Sequence, residues 1–210
     1  MRDKGNVFFK VLDIFANFVL LNLLWMVSCL FIVTIFPATT ALFATVRKWH
    51  KEGTDFGVIS TYYRYFIENF RKSFLIGLMW KIAMVFLVMD GMILSHVQFI
   101  GKWVILSLYT FLLILFLFLT IYLFFVLVHY ELGVFAIIKN ALFLSISCLP
   151  HTLACIGCVV VTFLFTYIMP FFLLVIGSFL AFVLYYIFQS LLRKLEQLTK
   201  NSQQTSEILT

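Results

Sequence analysis

This 210-residue chain predicts an all-α integral membrane protein with five transmembrane helices, and three observations carry that prediction. Residues 103–128 and 141–167 are runs of 26 and 27 residues without a single Asp, Glu, Lys or Arg. About 20 apolar residues at 1.5 Å each already cross a hydrocarbon core of roughly 30 Å. Hydrophobic residues make up 64% and charged residues 11% of the chain, against roughly 45–50% and 25% in soluble domains, so a water-facing surface is out of reach. The 15 Lys and Arg, which leave a net charge of +6, collect in the polar connections and tails, with Lys81 the exception inside a span.

The first span is expected at residues 14–36. Its 23 residues exceed the roughly 7–15 of a cleaved signal core, and no small-residue cleavage pattern follows, so it is expected to be retained. Thr34 and Pro37 mark a predicted helix break, because Pro37 lacks an N–H and biases Phe36 away from the α region. Residues 38–49 are then expected to turn back as a short return helix of about 18 Å. Irregular backbone at membrane depth persists only inside protein or beside water, so this hairpin is expected to be re-entrant and packed in the bundle.

Residues 58–72 read as an amphipathic interfacial helix. Ile59, Tyr62, Tyr63, Phe66 and Phe70 fall near one face, and Arg64, Glu68, Arg71 and Lys72 near the other. Spans at 73–95, 103–128, 141–167 and 171–192 follow, with a short amphipathic segment at 135–140 before the fourth and a polar tail at 193–210. The whole of 1–210 is expected to form one membrane domain.

Basic residues orient the chain. With a simple five-span count they divide ten inside to four outside. If the chain crosses and returns before Arg47, Arg2, Lys4 and Lys10 move inside and the division becomes thirteen to one, leaving Lys102 outside. The positive-inside rule favours the second arrangement, with both termini cytoplasmic. All four Cys lie in apolar segments, which speaks against a secreted disulfide framework. The cations flank spans instead of forming a basic domain, so the partner expected is the lipid bilayer and no nucleic acid. Arg47, Lys48, Arg64, Arg71 and Lys72 are the candidate contacts for anionic lipid or a protein partner.

Lys81 is the most informative ionisable residue. It lies nine residues, about 13 Å, past Lys72, too deep for easy snorkelling. Asp90 is nine residues further and half a turn out of phase, so the two cannot pair on one helix. Asn17, Asn22, His151 or a carbonyl freed at the break are the expected partners, in either a ligand or ion site or a structural hydrogen bond. Cys148, His151, Cys155 and Cys158 share a helical stripe, but its ends are about 15 Å apart along the axis. Zinc needs every ligand within about 2.0–2.3 Å, so no metal site is expected. No paired carboxylates, oriented nucleophile or phosphate loop appears. The expectation is a protein without enzymatic activity or cofactor.

The run Leu20–Trp49, LLNLLWMVSCLFIVTIFPATTALFATVRKW, followed by YRYFIENFRKSFLIGLMW, resembles the YesL-like family of small bacterial membrane proteins. Its hallmarks are an L-N-L-L-W run, a T-I-G-P-A-T-T-A-L-like segment and F-x-x-N-F. Phe31 and Phe36 stand where the family often has Pro and Gly. The resemblance implies a multi-pass inner-membrane protein of Gram-positive bacteria, often encoded beside carbohydrate-uptake genes, with no assigned activity and no catalytic residues to transfer. It makes an accessory or regulatory role in carbohydrate uptake the first expectation, with a carbohydrate permease or a sensor kinase as partner. A small transporter or channel using Lys81 and the Pro37 break is the alternative. Thiol labelling from outside the cell tests the orientation: an engineered cysteine at Lys102 labels, and those at Asn6 and Gln203 do not.

Overall fold

The computed structural model describes residues 3–54, 56–96 and 101–208, with side chains over 9–54, 56–96 and 101–197. The described residues form seven α-helices and two short 3₁₀ turns. They are α1 (Asp3–Ser28), α2 (Ile35–Glu52), α3 (Val58–His96), α4 (Lys102–His129), α5 (Val134–Ser147), α6 (Leu149–Ile168) and α7 (Ile176–Ile208). Segments of α1, α3, α4, α6 and α7 are long and apolar enough to cross a membrane, in agreement with five predicted spans.

The helix break is not at Pro37. Helix α1 ends at Ser28, and residues 29–34 make the link, closing with a 3₁₀ turn at Ile32–Thr34. The first span is therefore shorter than 14–36 at its far end. The Thr34 hydroxyl donates to the Ser28 and Phe31 carbonyls at 2.6 and 2.8 Å, the first of them an acceptor that α1 leaves open. Pro37 is the third residue of α2 and fully inside it. The first four N–H groups of a helix lack intrahelical partners, so a proline there forfeits no bond and its fixed φ suits the turn. Proline begins the returning helix instead of ending the outgoing one.

Helix α2 is longer than the predicted return at 38–49. Its 18 residues rise about 27 Å. It is also the centre of the molecule, touching α1, α3, α4 and α7. Eleven of its residues are buried, among them Ala38, Ala41, Leu42, Phe43, Ala44 and Val46. Small side chains let neighbouring backbones approach closely, which is how helices associate in lipid. The buried Thr40 and Thr45 hydroxyls donate to the carbonyls of Phe36 and Ala41, both at 2.8 Å, so neither is left unpaired. Aromatic contacts radiate from this helix: Phe36 on Trp80 and Phe124, and Phe43 on Phe124 and Phe125, with centroids 5.2–5.7 Å apart. Phe125 in turn stacks on Phe188 of α7 at 4.6 Å.

The predicted interfacial helix at 58–72 and the span at 73–95 are one unbroken helix, the 39-residue α3. At about 58 Å it is far longer than a hydrocarbon core. Its buried stripe runs through Val58, Thr61, Tyr62, Ser73, Ile76 and Gly77, while Ile59 and Tyr63 are exposed. The predicted apolar face is thus only partly the packed one.

Span 103–128 is observed almost unchanged as α4. The run 141–167 is instead divided at Cys148 into α5 and α6, with Pro150 in the first turn of α6. The segment at 135–140 belongs to α5. The last span follows a 3₁₀ turn at Pro170–Leu174, and its helix continues through the predicted polar tail to Ile208. Leu209, Thr210 and Arg2 lie outside the described residues.

Gly77 fixes the α2–α3 contact. A Cβ placed there would meet Phe36 Cβ and Cγ at 2.7 Å. Neither atom can swing aside as the tip of a flexible chain can. Gly77→Ala is expected to cost about 1–3 kcal/mol by overpacking. Gly157→Ala, with nothing within 4 Å, gains helix propensity and is neutral or stabilising. Thermal unfolding of both variants in micelles reads the difference.

Candidate functional site

Lys81 is half-buried on α3 and its ammonium donates to the Ile32 carbonyl at 2.7 Å, in the link between α1 and α2. Of the expected partners, the freed carbonyl is the one the fold supplies. Asn17, Asn22 and His151 are not brought to Lys81. Asn17 donates to the Thr54 carbonyl at 3.3 Å. His151 stands in the first turn of α6, where its backbone N–H bonds to Cys148 O. The cysteine stripe is interrupted, since Cys148 lies between helices while His151, Cys155 and Cys158 are on α6. Among the described residues no group of three or more His, Cys, Asp or Glu is placed to share a metal ion.

Asn22 is fully buried and works as a clamp between α1 and the start of α7. Its amide donates to the Leu173 carbonyl at 2.8 Å and its oxygen accepts from the Ser178 N–H at 3.2 Å. Ser178 answers by donating its hydroxyl to the Phe18 carbonyl at 2.8 Å. One side chain therefore pairs an acceptor of the 3₁₀ turn and one of the first N–H groups of α7, both of which lack helical partners.

The free charges gather elsewhere, in a cavity of about 310 Å³ where the ends of α2 and α4 meet α3. Helix α2 contributes Ala44, Arg47, Lys48 and Lys51, spaced i, i+3, i+4 and i+7. Helix α3 contributes Tyr65, Glu68, Asn69 and Lys72 at the same spacing. Such positions share one helix face, so two stripes face each other. Glu52 extends the first stripe, and Leu127, Val128, Tyr130 and Glu131 close the cavity from the end of α4.

Several of these side chains are held in place. The Arg47 guanidinium donates to the Val128 carbonyl, in the last turn of α4, where the helix dipole also favours a cation. Lys48 pairs with Glu52 at 3.7 Å and lies 4.0 Å over the Phe56 ring. Arg64 stands outside the cavity, pairs with Glu68 at 3.7 Å and lies over the Tyr65 ring. Arg71 is exposed and likewise does not line it. Of the five predicted basic contacts, Arg47, Lys48 and Lys72 come together; Arg64 and Arg71 stay on the surface beside them. Reading net charge along the chain missed Lys51, Tyr65, Asn69 and Glu131. The repeated i, i+3, i+4, i+7 spacing on both helices was the available signal.

A bundle with five helices long and apolar enough to cross a membrane defines a multi-pass α-helical membrane protein in contact with the lipid bilayer. The family model described as "Protein of unknown function, DUF624" matches residues 18–91, from within α1 through α2 into α3. The protein named "Uncharacterized protein YesL" of Bacillus subtilis (strain 168) is 30% identical over 168 residues, 78% of this chain and 79% of that protein. "Uncharacterized protein YteU" of the same organism is 30% identical over 161 residues, 73% of this chain and 70% of that protein. The chain belongs to the YesL-like family. No solved structure matches it.

Removing the Asn22 clamp leaves a buried carbonyl and a buried N–H without partners. Each unsatisfied group costs roughly 1–3 kcal/mol. Asn22→Leu is accordingly expected to lower the unfolding midpoint in micelles more than Asn17→Leu, whose bond is longer and whose side chain is only half-buried.

Proposed function

We propose that this protein is a non-enzymatic accessory or regulatory component of the bacterial inner membrane, working by contact with a protein partner. Both termini and the cavity of Arg47 and Lys72 face the cytoplasm in this reading. The orientation rests on the thirteen-to-one division of basic residues. The link to carbohydrate uptake, and with it a permease or sensor kinase as partner, rests on the family resemblance alone.

The observation that carries the proposal is where the free polar groups lie. Within the apolar part of the bundle several polar side chains already have internal partners. Lys81 is bonded to Ile32, Asn22 to Leu173 and Ser178, Trp25 to Thr39 at 3.2 Å, and Trp80 to Thr120 at 2.8 Å. A cleft of about 370 Å³ between α2, α4, α6 and α7 offers almost only apolar walls. Its two threonines, Thr39 and Thr120, are the ones bonded to the tryptophans. A sugar or ion path needs hydrogen-bonding groups that are free to exchange partners, and this interior supplies few. Lys51 at the end of α2 and Arg71 and Lys72 along α3 are exposed and open to a partner.

Crosslinking in native membranes followed by affinity purification tests the proposal. A stoichiometric partner that survives Lys81→Ala and is lost when Arg64, Arg71 and Lys72 are neutralised is the expected result. Substrate flux abolished by Lys81→Ala, with no partner recovered, would establish the transporter reading in its place.

A further inference from the structure

We infer that the cavity between α2, α3 and the end of α4 is a phosphate-binding site, with Arg47, Lys51 and Lys72 as its cationic ligands. The inference deepens the contact reading above and rests on it for the side of the membrane that the cavity faces.

Charge bookkeeping inside the cavity is the first ground. Seven charged side chains line it: Arg47, Lys48, Lys51, Lys72, Glu52, Glu68 and Glu131. That is nearly neutral until the pairings are followed. Glu52 is engaged by Lys48, and Glu68 by Arg64, which contributes no wall. Arg47 donates to Val128 O, a neutral carbonyl, so its charge stays uncompensated. Among the described residues, Arg47, Lys51 and Lys72 then face Glu131 as the one carboxylate in the cavity outside an ion pair. Three cations against one anion leave an excess close to the charge of a phosphate group.

Geometry is the second ground. The cations come from two helices whose stripes oppose each other, so a bound anion is reached from both sides. Arg47 is anchored at its guanidinium, which holds a planar donor in a fixed place, the feature that suits arginine to phosphate. Tyr65 adds a hydroxyl, with Arg64 stacked on its ring. About 310 Å³ is at the small end of ligand pockets, which span roughly 300–1,000 Å³. That volume fits a headgroup or a small phosphate ester and is far too small for a docked peptide helix. Buried Ala44, Leu127 and Val128 form an apolar floor against which an ester substituent can pack.

Two sources carry this chemistry: an anionic phospholipid at the membrane surface, or a phosphate ester from solution. The full chain in micelles distinguishes them when its thermal midpoint is followed against added inorganic phosphate and, separately, against short-chain phosphatidylglycerol. Sodium chloride at equal ionic strength is the control. We expect a saturable rise with one of the two probes. Lys51→Gln and Lys72→Gln should each weaken it about tenfold, the loss of one charge-assisted hydrogen bond. Both lysines are exposed, so these variants fold. Lys10→Gln, exposed and outside the cavity, should leave it unchanged. A response to lipid alone assigns the headgroup, and a response to phosphate assigns a soluble ester. No saturable response to either probe, or equal weakening by Lys10→Gln and Lys72→Gln, overturns the inference. Partner capture that persists while phosphate binding fails leaves the accessory role standing and removes this site; binding without any partner does the reverse.

Discussion

Backbone hydrogen bonding in a medium without water is the constraint on which this structure depends. A chain that reverses between α1 and α2 and breaks again at Cys148 and Pro170–Leu174 frees carbonyl and N–H groups that lipid cannot satisfy. The sequence answers with side chains placed for that purpose. Thr34 takes the end of α1, Lys81 takes Ile32 in the link, Asn22 takes the turn before α7, and Arg47 takes the end of α4. These four residues look like candidate functional groups because polar side chains are rare in such a chain. Structural demand accounts for all four, and only Arg47 also faces an open cavity.

How far the sequence discloses this fold depends on how uniform each segment is. Helix α4 is legible almost to the residue because 103–128 is apolar on every side and free of breakers. The first hairpin is legible as an event and not as a location. Proline breaks a helix already under way, whereas Pro37, in the first turn, is compatible with the helix it begins. The same ambiguity hides the division at Cys148, where Pro150 is the second residue of α6. The join between 58–72 and 73–95 misleads for the opposite reason. Composition changes there from amphipathic to apolar with no breaker, and a change of solvent does not require a change of backbone.

The least legible element is the most central one. Helix α2 carries Pro, three Thr, three Ala and a basic end, so neither hydropathy nor length marks it as core. Its burial comes from small side chains that admit neighbouring helices, a property of fit that composition does not express. Phe36 shows the point in one residue. It occupies a position where the family often carries glycine, and the room for its ring is made across the interface by Gly77. The cavity was partly legible in the same way. Its cations announced a charged surface, but the pairing of Glu52 and Glu68 depends on which groups face inward.

Helix α3 joins features that would otherwise be independent. Lys72 lines the charged cavity, Gly77 receives Phe36, and Lys81 holds the α1–α2 link, all within ten residues of one unbroken helix. A rod of this kind has no flexible joint between the two lysines. Any displacement at Lys72 is therefore shared with the Phe36 wedge and the Ile32 carbonyl, because no break in α3 lies between them.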